Sequence, residues 1–361
     1  MLQALVSTDR VTVLSWRPVD VAPINRFFGT SLRESDFNTV VVPRSWTFAP
    51  DHLPIPAALL RSALLMRYTR RLCDAFEVIV GAHNETDFGR RGIQYVNYPT
   101  YLRPRPEVDY RWYHRWPPLL ATYYNFADRI ADFSLDRMKQ NVTLANSHWT
   151  AAHIKRFLGV DAQTLYPPVT DVGSRRPWAD RRSSFLALGR ISPEKEYERS
   201  MRILAKVRRH VPDISLTIIG TVDRQVSGYM RELRRLAASL GSWIDFRQNL
   251  SRDELRATVR SCRYGIHGMR EEHFGMAPAE MVQAGCIVWV PRGGGQMEIV
   301  GDEPMLLYDT EEEAADKILR VLNSGHEQAR LREHLAVQSQ MFGTDRFMNQ
   351  MRSIVAAFRD S

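Results

Sequence analysis

Cysteine is nearly absent from this chain: Cys73, Cys262 and Cys286 stand far apart, with no Cys-x-x-Cys pair. That argues against a disulfide framework and against a zinc site. Lysine is just as scarce. Only Lys139, Lys155, Lys195, Lys206 and Lys317 contribute to 49 basic residues, and 49 less 5 leaves 44 arginines. Arginine suits bidentate phosphate recognition, although a GC-rich codon usage explains the skew equally well. No run of about 18 apolar residues occurs, so no membrane-spanning helix is expected, and the N-terminus lacks a signal-peptide pattern. A cytoplasmic protein is expected, with a peripheral position at the inner membrane face as its alternative. Internal repeats and low-complexity tracts are missing too. Glycine is thin at the start, where Gly29 is the only one before Gly81.

What is present describes a globular protein of 361 residues, with 44% hydrophobic and 25% charged residues. The length favours two domains. The net charge of +8 favours anionic partners, but charge alone does not make a nucleic-acid binder, and none is expected as a partner. Short β-branched runs alternate with amphipathic stretches, the pattern of α/β domains with parallel sheets. Strands are predicted at 11–16, 76–82, 93–98 and 141–147, then at 184–190, 215–221, 243–249, 264–269 and 286–291. Helical patterns fill 196–209, 226–240, 251–261 and 276–284. The Pro-Pro of "LYPPV" (165–169) and the arginine-rich 173–183 read as a linker between domains 1–170 and 183–343. The amphipathic 344–361 could pack back onto the first domain. Such a pair of βα domains would form a cleft at the strand C-termini, where open α/β sheets bind ligands.

Three loops carry candidate chemistry. In "LGRISPEKE" (188–196) a strand ends at Gly189 and Glu194-Lys195 opens a helix. Arg190 and Lys195 then flank a helix N-terminus, a reasonable diphosphate site whose alternative is a solvated loop. In "GMREEHFGMAPAEMVQAG" (268–285) Gly275 stands where a helix would begin, and Met276, Ala277 and Ala279 leave their amides accessible. Glu280 should be stabilised by that helix N-terminus. Carboxylates accept from hydroxyls and repel phosphates, so Glu272 and Glu280 suit two hydroxylated rings of one ligand. A sugar-nucleotide fits, with ribose at one glutamate and hexose at the other; surface glutamates on a capped helix are the alternative. The triple glycine of "PRGGGQMEIV" (291–300) permits either a nest of amides or a plain turn.

These residues resemble glycosyltransferase family 4, the retaining transferases of GT-B fold. Glu272 and Glu280, with Phe274-Gly275 between, match its Glu-x7-Glu motif, and Gly189, Arg190, Glu194 and Lys195 match its preceding loop. "NSHWTAAHI" (146–154), "LYPPV", "DFRQNLS" (245–251) and "GIHGMREEHFGM" (265–276) resemble the α-1,2-mannosyltransferases that extend lipid-linked oligosaccharides. The likeness covers about residues 11–345. It implies two Rossmann-like domains and a retaining transfer of a hexose, mannose first, from GDP-mannose or another nucleoside-diphosphate sugar to a glycan or lipid-linked acceptor. It also implies that no metal or other cofactor is needed, and the chain has no Asp-x-Asp. Arg190, Lys195 and Glu272 would be the catalytic groups. The first two would hold the diphosphate as its charge grows, Glu272 the transferred sugar and Glu280 the ribose. Asn249 and Leu250 would lie near the base, and Gly189, His273, Phe274, Gly275 and Met276 would complete the donor site.

The chain departs from the pattern twice. Asn97 in "YVNYPT" replaces a histidine on the acceptor side, so a group that could shuttle protons is replaced by one that can only hydrogen-bond. The opening β-loop-α unit of the family is not found, since "MLQALVSTDR" reads as a helix tail and "VTVLSW" as the next strand. A non-catalytic sugar-nucleotide-binding protein is therefore the alternative function. A glycan phosphorylase would need a pyridoxal-bearing lysine, and the lysines are few. "LLRSALLMRYTRRL" (59–72) with "YRWYHRW" (110–116) admits two readings: packed core, or contact with an anionic leaflet.

Overall fold

Strand and helix runs of the first half build a parallel sheet whose alternate residues face two helical layers. A computed structural model describes residues 1–52, 58–82, 84–99, 116–169, 173, 175–221 and 227–361. By contacts the chain divides into two units. One comprises Met1–Asn146, Thr150–Leu165 and Phe347–Ser361, and the other Ser147–Trp149 and Tyr166–Arg346.

In the first unit, α1 (Leu2–Leu5), β1 (Thr12–Ser15), α2 (Val21–Phe28) and β2 (Asn38–Val41) are followed by α3 (Arg44–Asp51) and α4 (Ala58–Leu72). Next come β3 (Val80–Gly81), β4 (Ile93–Val96), α5 (Pro117–Ala131), α6 (Leu135–Lys139), β5 (Val142–Ala145), α7 (His148–Leu158) and β6 (Ala162–Thr164). β1 and β2 pair in parallel, and β3 to β6 form a second parallel sheet in that order. The period of two is visible in β4. Ile93 and Tyr95 face the cluster of Ala4, Leu5, Phe347 and Met351, whereas Val96 faces Met138 and Ile154. The strand predicted over 76–82 shrinks to β3, because Arg90 takes the carbonyls of Phe76 (2.6 Å) and Glu77 (2.8 Å) that a ladder would need.

α4 packs Ala63 and Met66 on Ala127 and Ala131 of α5. All four of its arginines have partners within the unit. Arg61 pairs with Asp51, Arg67 donates to the Ile130 carbonyl, Arg70 pairs with the buried Asp87, and Arg71 lies over the Trp46 ring. These contacts describe a core-packed helix. The aromatic stretch at 110–115 lies outside the described residues.

The second unit holds β7 (Arg182–Leu188), α8 (Tyr197–Arg208), β8 (Ser215–Gly220), α9 (Ser227–Leu240), β9 (Ile244–Gln248), α10 (Arg252–Ser261) and β10 (Cys262–Ile266). It continues with α11 (Met276–Gln283), β11 (Ile287–Pro291), α12 (Gln296–Ile299), β12 (Leu307–Tyr308), α13 (Glu311–Leu322) and α14 (Gly325–Ser339). α15 (Thr344–Arg359) joins the first unit from Phe347 on. The sheet order is β12-β11-β10-β7-β8-β9, all parallel. Its inner strands β7, β8, β10 and β11 are largely buried, as a sheet covered by helices on both faces requires, and the edge strand β9 is not. The chain winds from β7 outward to β9, then returns to the other side of β7 with β10. The strand order therefore reverses between β7 and β10, and the loops leaving these two strands meet at the switch point.

Candidate active site

The loop after β7 differs from the expected helix start. Pro193–Lys195 form one 3₁₀ turn, Glu196 adopts a left-handed conformation (φ 45°), and α8 begins only at Tyr197. This geometry separates the two expected phosphate ligands. Arg190 is 76% exposed and meets Glu194 at 3.5 Å. The Lys195 side chain is only 13% exposed, and its ammonium donates to Glu272 Oε2. Arg190 thus stands at the surface, and Lys195 is largely buried.

The loop after β10 explains why. β10 stops at Ile266, short of the predicted 269, and the chain bends at His267-Gly268. Gly268 lies so close to the Glu196 carbonyl that a Cβ would come within 2.4 Å of its oxygen. His267 is fully buried, its Nε2 3.2 Å from the same Glu272 oxygen that Lys195 holds. Burial lowers the imidazole pKa, so the ring is neutral and donates from Nε2. Burial opposes ionisation of Glu272 as well. The His267 hydrogen bond and the Lys195 charge outweigh it and hold that carboxyl well below the usual carboxylate range. A lysine 77 positions earlier and a strand-end histidine thus fix one ionised carboxylate.

Glu280 has the opposite environment. α11 starts at Met276 after Gly275 (φ 108°), and no side chain caps it. Its first amides thus lack intrahelical acceptors and remain available to an anion or hydroxyl. Glu280 lies in the second turn, beyond the reach of the terminal dipole. Burial raises its pKa, and the charge of Arg252 offsets this only in part. The expected stabilisation by the helix N-terminus is therefore outweighed. Arg252 opens α10 directly after Asn249, Leu250 and the capping Ser251. Asn249 is exposed in a left-handed conformation (φ 53°), and Leu250 packs on the core of the unit.

The remaining expected residues divide between support and surface. The Phe274 ring is buried against Tyr166 and Phe342, so its side chain anchors the loop. His273 stacks on Trp149 at 5.7 Å, and its carbonyl accepts from Ser147 Oγ at 2.5 Å. Met276 is exposed. Asn97 belongs to the first unit, where its amide donates to Asn84 Oδ1 and its side chain is exposed.

Two features escaped the sequence reading. The triple glycine is a seat for the Glu272 backbone: the Gly295 amide donates to the Glu272 carbonyl at 2.7 Å. At Gly294 (φ 71°) a Cβ would meet both the carbonyl oxygen and the nitrogen of Glu272 below 3 Å. Gln296 is wholly buried and donates to the carbonyls of Met269, Arg270 and Pro291, tying the loop after β10 to the end of β11. His267 carried only its place at a strand end as a signal, and Gln296 carried none.

One family model covers this region. Residues 174–336 match the family described as glycosyl transferases group 1. The chain is 26% identical over 250 residues to a GDP-Man:Man(3)GlcNAc(2)-PP-Dol alpha-1,2-mannosyltransferase of Dictyostelium discoideum, covering 63% of this chain and 49% of that protein. The human protein of the same description is 28% identical over 228 residues, covering 58% and 46%. The chain thus spans about half the length of the curated relatives it matches. Among solved structures, HepE of Anabaena in complex with UDP and glucose superposes with a TM-score of 0.67 at 15% identity, covering 98% of this chain and 94% of that one. Both strand-end loops lie inside the segment, residues 174–336, that is similar to the glycosyl transferases group 1 family, and the chain shares the GT-B fold of the solved transferases it superposes on.

Proposed function

We propose that the protein is a retaining glycosyltransferase that moves mannose from GDP-mannose to a lipid-linked oligosaccharide or related glycan acceptor. The observation that carries this reading is the Lys195–Glu272–His267 constellation at the switch point, beside the uncapped start of α11. An ammonium has three donors, and Glu272 takes one, so Lys195 can still hold a phosphate oxygen. Arg190 supplies a second, exposed cation for the diphosphate. In the proposed reaction the bond from the anomeric carbon to the diphosphate breaks and a bond to the acceptor oxygen forms on the same face. The acceptor proton passes to the departing phosphate, and Arg190 and Lys195 stabilise the growing charge there. Glu272, kept ionised, faces the sugar as it gains positive charge, Glu280 accepts from the ribose, and Asn249 and Leu250 flank the base. The lack of an Asp-x-Asp supports transfer without a metal. The mannosyltransferase names of the relatives support mannose and a lipid-linked acceptor.

A panel of GDP-, UDP- and ADP-sugars tests the proposal. GDP-mannose should give the largest thermal shift, since a ligand that binds only the folded state stabilises it, and should be hydrolysed slowly without acceptor. A shift without hydrolysis or transfer would return the protein to a sugar-nucleotide-binding role.

A further inference from the structure

A cavity of about 160 Å³ opens in the second unit, away from the loops just described. Its wall includes Arg175, Arg176, Arg181 and Arg332, with Trp178 and Leu335 as apolar surface. Val282, Gly285 and Cys286, at and beyond the C-terminal end of α11, complete it. Gly275, at the other end of α11, is thus separated from it by a helix of eight residues, about 12 Å at 1.5 Å per residue.

Three of the four guanidinium groups, those of Arg175, Arg181 and Arg332, are held in place by neutral groups. Arg175 donates to the Gln283 carbonyl and to Ser339 Oγ, each at 3.1 Å. Arg181 is only 5% exposed and donates to the Arg176 carbonyl at 2.8 Å. Arg332 donates to the Gln328 carbonyl at 3.2 Å and stacks over Trp178, 4.6 Å from its centroid. Gly285 lets two of them approach, since a Cβ there would lie 3.1 Å from an Arg181 nitrogen and 3.5 Å from Arg175 Cδ. Among the described residues none of the four forms an ion pair, whereas the buried or half-buried Lys195, Arg199 and Lys317 of this unit do. Burial and the charges of Arg175 and Arg332 press the Arg181 pKa down, and no carboxylate acts on it. Arg181 is buried and Arg332 half-buried, whereas Arg175 and Arg176 are exposed. A buried guanidinium without a counter-charge is costly, and a multiply charged oxyanion relieves that cost through bidentate hydrogen bonds.

We propose that this cavity is a second anion site, distinct from the donor corner, that binds a phosphate group, either free or on a lipid headgroup. Its apolar wall accommodates the uncharged part of a phosphomonoester. This assignment stands independently of the reaction proposed above.

The test uses the whole chain, with inorganic phosphate as the probe and chloride at matched ionic strength as the control. Phosphate should raise the melting temperature and bind by calorimetry, and Arg175→Gln with Arg332→Gln should weaken that binding about tenfold or more, as loss of charged hydrogen bonds implies. Without phosphate the double variant should melt no lower than the parent, because repulsion is removed; a purely structural role would lower its melting temperature. Arg190→Gln, at the donor corner, should leave the high-affinity phosphate response intact. Vesicles containing phosphatidic acid separate the sources: cosedimentation lost in the double variant assigns a headgroup, and its absence beside binding of free phosphate assigns a soluble anion. An equal response to chloride, or phosphate binding unchanged in the double variant, would overturn the proposal.

Discussion

Glu272 and Glu280 are eight residues apart, both largely buried, and held in opposite ways. Glu272 meets an ammonium and an imidazole N–H, so its charge is stabilised. Glu280 has only the more distant charge of Arg252 against its burial, so its charge is disfavoured. Burial by itself raises a carboxylate pKa, and specific partners decide whether that outcome stands. One motif thus supplies an anion fixed in place and a carboxyl whose charge costs stability.

The sharpest way to break this contrast is Lys195→Met. It leaves Glu272 buried beside a neutral histidine and should cost about 3–5 kcal/mol of stability, as removal of one partner from a buried pair does. Urea unfolding at neutral pH measures it, and an unchanged midpoint would show that the pair contributes nothing. Arg190→Ala removes the exposed cation instead. It should cost about 2–4 kcal/mol of transition-state stabilisation while leaving the urea midpoint in place. Unaltered turnover would remove Arg190 from the diphosphate site.

Glu272→Gln should lose about 1.5–3 kcal/mol at neutral pH, the range for hydrogen bonds to a charged group. Its folded pKa is depressed, so the parent's advantage is present above the unfolded carboxyl value and fades as pH falls through and below it. Turnover should fall more than donor binding, because the contact strengthens as the sugar gains charge. Glu280→Gln should have the smallest effect and the opposite sign. Its folded pKa is raised, so the parent loses stability as pH climbs from the unfolded value through the folded one. The amide should therefore match or exceed the parent by up to about 1 kcal/mol at neutral pH. Its kinetic signature should be a raised Michaelis constant. Calorimetry with nucleoside diphosphate alone separates the two, since only Glu280 should register there; equal losses would mean that Glu272 does not face the sugar.

Much of the second unit was legible from residue order. Its runs at 184–190, 215–221, 243–249 and 286–291 hold β7, β8, β9 and β11, because buried parallel strands are continuous apolar segments bounded by glycine and polar turns. β2, β6 and β12 were not expected. They are two to four residues long, and their pairing is settled by neighbours. α13 and α14 were not anticipated either; the hydrophobic face of α14, Leu331 and Leu335, is sparse among polar and charged residues.

The sequence by itself determined the α/β class, the glycine that starts α11, and which charged residues lie on strand-end loops. Those follow from local backbone preferences and from hydrophobic periodicity, which act within a few residues. Tertiary structure alone decided that Lys195 is locked on Glu272, that the triple glycine seats the Glu272 backbone, and that His267 and Gln296 belong to the site. It also decided that four arginines share a cavity with no counter-charge among the described residues. Each of these depends on loops brought together by the order of strands in a sheet. The energy of a buried charge is set by neighbours a few ångströms away in space, and along this chain those neighbours can lie far apart, as Lys195 and Glu272 do at 77 residues.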